Sequence, residues 1–530
     1  MGKLNIIKND ILSGITVAVV ALPLALAFGV VSGAGATAGL YGAIILGFFA
    51  ALFGGVPVQV SGPTGPMTVV FAATLAAFPN DFSSAMMVVF LAGLLQILFG
   101  IVDLGKWVKY IPYPIISGFM CGIGVIIMIL QINPFLGVES NSSIVYVLTH
   151  ITETLKNINY DALLIGSITL IIMFLTPKRV SKIVPSALIA LFVVTIISIY
   201  MNFNVMTIGE IPKSLPEFNF PFSFDILHLN IILTYAITLA LLGSIDTQLT
   251  SVLVDSRMKT KHNSKKELIG QGIGNTMCSF FGAVPGAGAT MRTIVNINNG
   301  GTTKLSGIVH SITLLLIILF FAPLASKIPL ALLAGILIKV GIDILDYRFL
   351  KIITKVSKED LIIMLVVFFL TVFVDLIMAV GVGITIASIL ALYQISMKTQ
   401  MKIIPSKISF NEHNKIFDIE IIRVKGSLFF GTATALDNTL EKIKNDKNII
   451  IDCKNIHLLD ISAIFKLEDI IEKFKEKELE IVLVMRHRHK KRILSIDDSG
   501  IFKNIKIYKN LDDAINYLKE INSKWKKYIY

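Results

Sequence analysis

Asp246 is a carboxylate placed in the middle of apolar sequence, and this position predicts ion chemistry. The preceding run Ile226–Ile245 contains no Asp, Glu, Lys or Arg. Thr250 follows four residues later, so on a helix its hydroxyl shares a face with the carboxylate. These two groups, together with free carbonyls of a broken helix, form an oxygen cage suited to Na⁺; the carboxylate alone could carry a proton. The plain alternative is a structural hydrogen bond to a neighbouring helix.

A chain break inside apolar sequence supplies the second kind of chemistry. Val58–Val70 reads V-Q-V-S-G-P-T-G-P-M-T-V-V, with two glycines and two prolines within five residues. Because proline cannot continue a helix but suits its first turn, the pattern predicts an extended piece at Val58–Ser61 and a half-helix from Pro66. The first N–H groups of such a helix have no intrahelical partner and attract anions.

The break has a second copy, which strengthens the prediction. Val284–Val295 reads V-P-G-A-G-A-T-M-R-T-I-V, again a glycine-rich break followed by Met, Thr and β-branched residues. Two interrupted half-helices in corresponding places of two chain halves indicate a transporter binding site near the midplane. Arg292, one turn into the second half-helix, either adds positive charge beside the anion or packs with its head paired elsewhere. We expect His310 to be an ordinary hydrogen-bonded polar group.

The elements that position these residues are membrane spans. The chain has 530 residues, of which 54% are hydrophobic and 16% charged, and a mean hydropathy of +0.75. Its apolar runs reach the roughly 20 residues that span a bilayer. We predict seven segments in each half: Ile11–Val31, Thr37–Phe53, the half-helix Pro66–Phe78, Ser83–Ile101, Tyr113–Gln131, Ala162–Leu175 and Ile183–Met201, then Leu229–Val252, Lys266–Phe281, the half-helix Ala289–Asn298, Leu305–Leu324, Ile328–Asp343, Leu361–Met378 and Gly381–Ile395.

Seven segments per half force the two halves to insert with opposite topology, which predicts inverted repeats at about 1–202 and 226–397. Fourteen crossings from an inside N-terminus place most loop Lys and Arg residues inside, among them Lys3, Lys8 and the run Arg257–Lys266. This asymmetry follows the positive-inside rule. We therefore expect a multi-pass protein of the cytoplasmic (inner) membrane, with a cytosolic N-terminus.

The composition changes after Lys402. Residues 408–530 carry frequent Lys, Glu and Asp and alternate strand-like with helix-like patterns, which predicts a small cytosolic α/β domain after a transport domain at 1–400. We predict strands at Phe417–Val424, Asn448–Asp452 and Glu480–Met485, and helices at Ala433–Lys444, Ser462–Lys475 and Leu511–Ile521.

Other function classes are disfavoured by the sequence. It shows no nucleophile–base pair, metal cluster or Walker loop, so we expect neither an enzyme nor an ATP-driven pump, and no cofactor besides a coupling ion. The net charge of +12 lies largely in loops between spans. The basic run Arg486–Arg492 is interpreted as a solvated face near the anionic leaflet rather than a nucleic-acid site.

Taken together, these motifs resemble the SulP inorganic anion transporters, which end in a STAS domain. The resemblance rests on G-P-T-G-P-M-T at Gly62–Thr68, on the Asp246–Thr250 span, on G-A-G-A-T-M-R at Gly286–Arg292 and on the C-terminal α/β region. It implies a core domain that moves against a gate domain, and a homodimer. D-T-Q-L-T at Asp246–Thr250 and the run Arg257–Asn275 are most similar to the BicA-type sodium-dependent bicarbonate transporters.

This branch implies roles for individual residues. Sodium ligands would be Asp246, Thr250, Gly288 and Thr290. The anion would lie between the two half-helix starts, at Thr64, Gly65, Ala289 and Arg292. Proton-coupled sulfate members usually have a glutamate where this chain has Asp246, which favours sodium.

The STAS resemblance departs from its pattern at one place. Anti-sigma-antagonist domains carry D-S-S-G with a phosphorylatable serine, whereas this chain reads D-I-S-A, so that only Ser462 remains as a candidate regulatory phosphosite.

The function expected from the sequence is sodium-coupled bicarbonate uptake. Two alternatives stay open: a proton-coupled transporter of sulfate or another oxyanion, and an anion channel or membrane sensor with the STAS domain as its output.

Overall fold

The computed structural model describes residues 3–79, 81–105, 111–140, 143–177, 180, 185–209, 217–220, 228–374, 376–409, 416–432, 436, 439, 448–476 and 479–525. The chain forms two compact units, Met1–Ile384 and Thr385–Tyr530.

Within its described residues, the named elements of the first unit are helices and one short two-stranded ribbon. Its elements, in chain order, are α1 (Lys3–Ser32), α2 (Ala36–Phe53), β1 (Ser61–Gly62), α3 (Gly65–Ala77), α4 (Phe82–Ile101), α5 (Tyr113–Leu130), α6 (Ile132–Phe135), α7 (Ile144–Thr149), α8 (Ile151–Lys156), α9 (Tyr160–Leu175), α10 (Ser186–Tyr200), α11 (Leu229–Met258), α12 (Ser264–Phe280), β2 (Ala287–Gly288), α13 (Thr290–Asn298), α14 (Lys304–Ala325), α15 (Leu330–Ile344), α16 (Tyr347–Leu350) and α17 (Lys358–Phe373). Helix α18 (Leu376–Lys398) begins in this unit and ends in the second.

Each of the fourteen predicted segments overlaps helical residues in the described part of the chain, and the helical membrane class is confirmed, while the number of spans stays a prediction. Among the described residues, six helices are long and apolar enough to cross a membrane, judged by length and composition. One boundary was wrong: the predicted span Leu361–Met378 is divided, since α17 ends at Phe373 and α18 begins at Leu376. In the sequence only Asp375 interrupts the apolar run here, and a single charged residue does not show that one helix ends and another begins.

Helices α4 and α12 approach each other through glycines. A methyl group at Gly93 would lie 2.5 Å from the Thr276 nitrogen, and one at Gly272 would lie 2.6 Å from the Gly93 carbonyl oxygen. Small residues at such crossings let two backbones touch, which is the usual packing solution between membrane helices. This contact holds α12, which carries much of the polar lining of the site, against the rest of the unit.

The second unit contains a five-stranded sheet in the order β3-β4-β5-β6-β7. Its elements are β3 (Gln400–Ser409), β4 (Ile416–Leu428), β5 (Asn448–Leu459), α19 (Ile461–Glu476), β6 (Ile481–Val484), α20 (His487–Ile496), β7 (Lys506–Tyr508) and α21 (Leu511–Trp525). Strands β3 and β4 are antiparallel and the other pairs are parallel.

This sheet is covered on both faces. One core joins Ile422 and Ile451 to the inner side of α19, and the other joins Ile450 and Val482 to Ala514 and Leu518 of α21. The α/β prediction is confirmed. Burial also raises the pKa of the Cys453 thiol in β5 to about 12, so this cysteine is a protonated packing residue.

Three elements of this unit were missed. Strand β3 contains Pro405, which disfavours a strand, but β3 is the edge of the sheet, where proline is tolerated. The basic run Arg486–Arg492 forms most of α20, with Arg488 and Lys491 exposed and His489 buried. Strand β7 was not predicted, and most of the predicted helix Ala433–Lys444 lies outside the described residues.

We expect Gly93→Ala and Gly272→Ala each to lower the apparent melting temperature of the purified protein. The added methyl group forces two packed backbones apart, and overpacking of this kind typically costs about 1–3 kcal/mol. Leu94→Ala is the matched control, because Leu94 lies on the same helix with 42% of its side chain exposed. Equal melting temperatures for Gly272→Ala and the unmodified protein would contradict the close contact.

Candidate functional site

The two chain breaks meet in the ribbon formed by β1 and β2. The strands are antiparallel, with Ser61 opposite Gly288 and Gly62 opposite Ala287, and the Ala289 N–H donates to the Val60 carbonyl at 2.9 Å. Each strand leads within three residues into a half-helix. The structure therefore joins the two predicted half-helix starts through one short ribbon.

Both half-helices begin as the sequence predicts. Thr64 is the extended N-cap residue of α3, with Pro66 in the first turn, and its carbonyl accepts the first helical bond from Thr68 N–H at 2.9 Å. Ala289 is the extended N-cap residue of α13, and its carbonyl accepts from Thr293 N–H at 2.9 Å. Neither cap residue supplies a side-chain hydrogen bond to its helix. The first N–H groups of both helices are therefore left for a ligand.

The four predicted sodium ligands lie on three elements: Asp246 and Thr250 on α11, Gly288 on β2 and Thr290 on α13. The Thr250 hydroxyl of α11 donates to the Gly288 carbonyl at 2.9 Å, and it lies 2.7 Å from the Thr290 hydroxyl. The N–H of Gly288 donates to the Thr247 hydroxyl at 3.1 Å. Three of the four predicted ligands are thus in direct contact, although they come from segments about 40 residues apart.

Asp246, the fourth, lies one helical turn before Thr250. Its Oδ2 is buried and has no hydrogen-bond partner among the residues that the structure describes. The Thr64 side chain lies beside this carboxylate, yet the Thr64 hydroxyl also has no regular hydrogen bond within the described part of the chain. At least one oxygen of this carboxylate is therefore left without a partner from a neighbouring helix. An unpaired buried carboxylate oxygen fits a cation or a proton.

Arg292 lies in a different part of the site. The residue is 1% exposed, and neither of its terminal nitrogens has a partner among the described residues. A methyl group at Gly62 would lie 1.9 Å from Arg292 Nη1 and 3.4 Å from the Ala43 Cα, so the guanidinium fills the space between β1 and α2. Gly62 is thus required by a side chain from the other half-helix, which the sequence did not reveal.

The expectation for His310 was wrong. The residue is fully buried, and within the described residues neither ring nitrogen has a hydrogen-bond partner. Its ring lies near the Gly47 backbone on α2, where a methyl group at Gly47 would be 3.4 Å from His310 Cε1 and 3.2 Å from the Ser61 carbonyl oxygen. Sequence alone could not show this, because a lone histidine on an apolar span usually finds a partner.

Three further polar residues organise the ribbon from α12, and the sequence analysis did not single them out. Asn275 accepts from Gly286 N–H at 2.9 Å and donates to the Gly286 carbonyl at 3.0 Å. Gln271 donates to the Ser61 hydroxyl and, at 3.0 Å, to Glu267. The sequence contained a signal for these residues: Glu267, Gln271 and Asn275 recur every four residues, so they line one face of a predicted span.

An apolar cavity of about 190 Å³ opens onto this site. Its wall includes Pro66, Phe119, Leu242 and Val380, and Asp246 is the one ionisable group among its lining residues. At roughly 30 Å³ per molecule of liquid water, the cavity has room for a small hydrated ion. The Asp246 side chain therefore lies at the wall of a cavity that a small ion could occupy.

Comparison with known proteins now identifies the family. The sequence profile of the sulfate permease family matches residues 7–367, and that of the STAS domain matches residues 408–514. The chain belongs to the sulfate permease family. The resemblance expected from the motifs is confirmed.

The relatives within the family are mainly anion transporters. The chain is 42% identical to the bicarbonate transporter BicA of Synechocystis over 97% of this chain and 94% of that protein. It is 41% identical to BicA of Picosynechococcus over 90% of this chain and 88% of that protein. A putative sulfate transporter of Bacillus subtilis, YvdB, is 33% identical over 94% of each protein.

Solved structures in the family have the same fold. The transmembrane domain of a cyanobacterial BicA matches with a TM-score of 0.66 and 50% identity, covering 71% of this chain and 97% of that one. Murine Solute Carrier 26 family member A9 matches with a TM-score of 0.82, covering 97% of this chain and 91% of that one. At 18% identity, the second likeness shows the fold alone.

We expect the contact between Gly62 and Arg292 to appear as non-additivity in a double-mutant cycle. Gly62→Ala should lower the apparent melting temperature, because its methyl group displaces a buried guanidinium. In an Arg292→Ala background the same change should cost much less, with an interaction term in the range of about 0.5–3 kcal/mol. Strictly additive effects would contradict the placement of Arg292 against β1.

Proposed function

We propose that this protein carries bicarbonate into the cell together with sodium. The observation that carries the proposal is the contact of Thr250, Gly288 and Thr290 oxygens one helical turn from the unpaired carboxylate oxygen of Asp246. The identity of 41–42% to two bicarbonate transporters supports the choice of anion.

The proposed coupling of sodium and bicarbonate follows from the negative charge of Asp246. A carboxylate at membrane depth costs about 2.5–3.5 kcal/mol on insertion scales, so a partner that neutralises it is favoured. Sodium, as transported ion, would be held by Asp246, Thr250, Gly288 and Thr290. With the carboxylate neutralised, an anion at the nearby half-helix starts meets partial positive charge and free N–H groups without a facing negative charge.

The anion would be held mainly by main chain. Thr64 and Gly65 lie at the start of α3 and Ala289 at the start of α13. Arg292 is the nearby positive charge, acting from behind β1. Because N–H groups bind any small oxyanion, this arrangement favours anions over cations more strongly than it distinguishes bicarbonate from sulfate.

The proposal also covers the location of the protein in the cell, its oligomeric state and its regulation. We place the protein in the cytoplasmic membrane as a homodimer, with the N-terminus and the STAS domain in the cytosol. Ser462, exposed at the start of α19, is the proposed regulatory phosphosite. All proposed ion-binding residues lie before Lys304, so the STAS domain would regulate or stabilise rather than bind cargo.

Proton-coupled sulfate transport is the second candidate. The relationship to a putative sulfate transporter favours it, and the unpaired Asp246 oxygen could hold a proton instead of sodium. Counterflow of labelled bicarbonate against unlabelled sulfate in proteoliposomes separates the two anions. Efficient exchange by sulfate and none by bicarbonate would reject the proposed substrate.

Asp246→Asn is expected to abolish sodium-stimulated bicarbonate uptake while leaving the protein folded, because the amide keeps the shape but not the charge. Asp246→Glu should lose much of the stimulation, since the extra methylene displaces the oxygen from its neighbours. Uptake with external sodium or choline measures both variants in proteoliposomes. Asp512→Asn, exposed on α21, is the control.

One outcome would contradict the proposed role of Asp246 as a sodium ligand. If the unmodified protein takes up bicarbonate equally with sodium and choline outside, and uptake instead follows an imposed pH gradient, the carboxylate is a proton carrier.

The two half-helix starts should respond differently to substitution. Thr64→Ala removes a hydroxyl but keeps the backbone N–H groups, so it should weaken anion uptake less than Ala289→Leu, whose bulk fills the space at the start of α13. The half-saturation concentration for bicarbonate, measured at saturating sodium, checks this order. A stronger effect of Thr64→Ala would show that side chains, not main chain, dominate anion binding.

A further inference from the structure

Glu267 is a buried carboxylate with no direct part in the proposed ion site. It lies in the first turn of α12 and is 2% exposed. Its Oε2 accepts from the N–H groups of Gly55 at 2.8 Å and Val56 at 2.9 Å. Its Oε1 accepts from the amides of Gln59 at 2.8 Å and Gln271 at 3.0 Å. Both oxygens are therefore fully used.

The four partners of Glu267 are all N–H donors. An ionised carboxylate is an acceptor only, whereas a protonated one carries an O–H that needs an acceptor of its own. None of these four N–H groups offers an acceptor for that O–H. The surroundings fit the ionised form, and the hydrogen bonds offset the cost of burying it.

Gln59 connects this carboxylate to the ribbon. Its amide nitrogen faces Glu267, and its amide oxygen accepts from the Ser251 hydroxyl of α11 at 3.0 Å. A methyl group at Gly288 would lie 2.2 Å from the Gln59 amide nitrogen, so this amide packs directly against the Gly288 Cα. The Gly288 carbonyl is the one bonded to Thr250.

We propose that Glu267 is a positioning residue for the sodium site, acting through Gln59 on the Gly288 carbonyl. The inference rests on the proposed sodium coupling. The negative carboxylate fixes which end of the Gln59 amide faces it, because the opposite orientation would set two oxygens against each other. The fixed amide then sets the position of Gly288 between β1 and the Thr247 and Thr250 hydroxyls of α11.

This arrangement predicts that the sodium half-saturation concentration changes more than the bicarbonate half-saturation or the maximal rate. In Glu267→Gln the new amide places its own N–H₂ group against N–H donors, so one side of the network is lost and Gln59 is free to turn. The sodium half-saturation concentration should rise about tenfold, equivalent to about 1.4 kcal/mol. The bicarbonate half-saturation at saturating sodium and the maximal rate should change less than about twofold, because the half-helix N–H groups are untouched.

The test uses the purified full chain with two readouts. One is bicarbonate uptake in proteoliposomes as a function of sodium concentration. The other is the shift of apparent melting temperature by NaCl against choline chloride in detergent, without bicarbonate. Gln59→Met and Ser251→Ala remove the next two contacts and should raise the sodium half-saturation in the same way. Glu153→Gln, exposed on α8, should match the unmodified protein.

The outcomes separate this inference from the proposed function. No sodium dependence in the unmodified protein, by uptake and by melting, would reject sodium coupling itself. Sodium dependence with an unchanged sodium half-saturation in Glu267→Gln would overturn the positioning role. Equal losses in sodium half-saturation, bicarbonate half-saturation and maximal rate would show a merely structural role and also overturn it. If Glu267→Gln does not assemble, Gln59→Met and Ser251→Ala decide by the same criteria.

Discussion

Backbone that leaves a helix within a bilayer must find partners for its N–H and C=O groups inside the protein. The crossing of β1 and β2 meets this requirement by pairing the two breaks with each other, as in the bond from Ala289 N–H to the Val60 carbonyl. Further support comes from one face of α12, where Asn275 holds both polar groups of Gly286 and Glu267 holds the N–H groups of Gly55 and Val56. The Thr247 and Thr250 hydroxyls of α11 hold the N–H and carbonyl groups of Gly288. The ribbon can therefore leave the first turns of both half-helices for a ligand.

The second consequence of this crossing is electrostatic. It gathers two groups of opposite charge whose buried atoms lack hydrogen-bond partners among the described residues: Oδ2 of Asp246 and both terminal nitrogens of Arg292. Buried charges are normally paired, and in membrane segments they mark pathways for ions. A cation at Asp246 and an anion at the half-helix starts would supply the missing charges together. This would give the proposed coupling of the two ions a physical basis without any large rearrangement of the site itself.

The same crossing explains residues that sequence motifs alone would assign to ligand binding. Gly62 belongs to the conspicuous G-P-T-G-P motif, yet its lack of a side chain makes room for Arg292. Gly288 is a proposed ligand through its carbonyl, and its lack of a side chain admits the amide of Gln59. Both glycines thus leave room for a side chain from another segment, and Gly288 also carries a proposed sodium ligand, so the proposed ion affinity depends on the geometry of the neighbouring helices.

The sequence by itself determined the helical membrane class, the two half-helices and the α/β character of the C-terminal region, and it singled out Asp246 as a candidate ion-binding carboxylate. These follow from local properties: hydropathy, proline at a helix start, alternating patterns, and a charge in an apolar run. Only the tertiary structure decided that Thr250 and Thr290 hydroxyls meet, that Arg292 lies against Gly62, that His310 lacks a described partner, and that Glu267 contacts Gln59. The contacts among these join segments roughly 40 to 230 residues apart. The periodicity of one segment does not record which face of another segment it will touch.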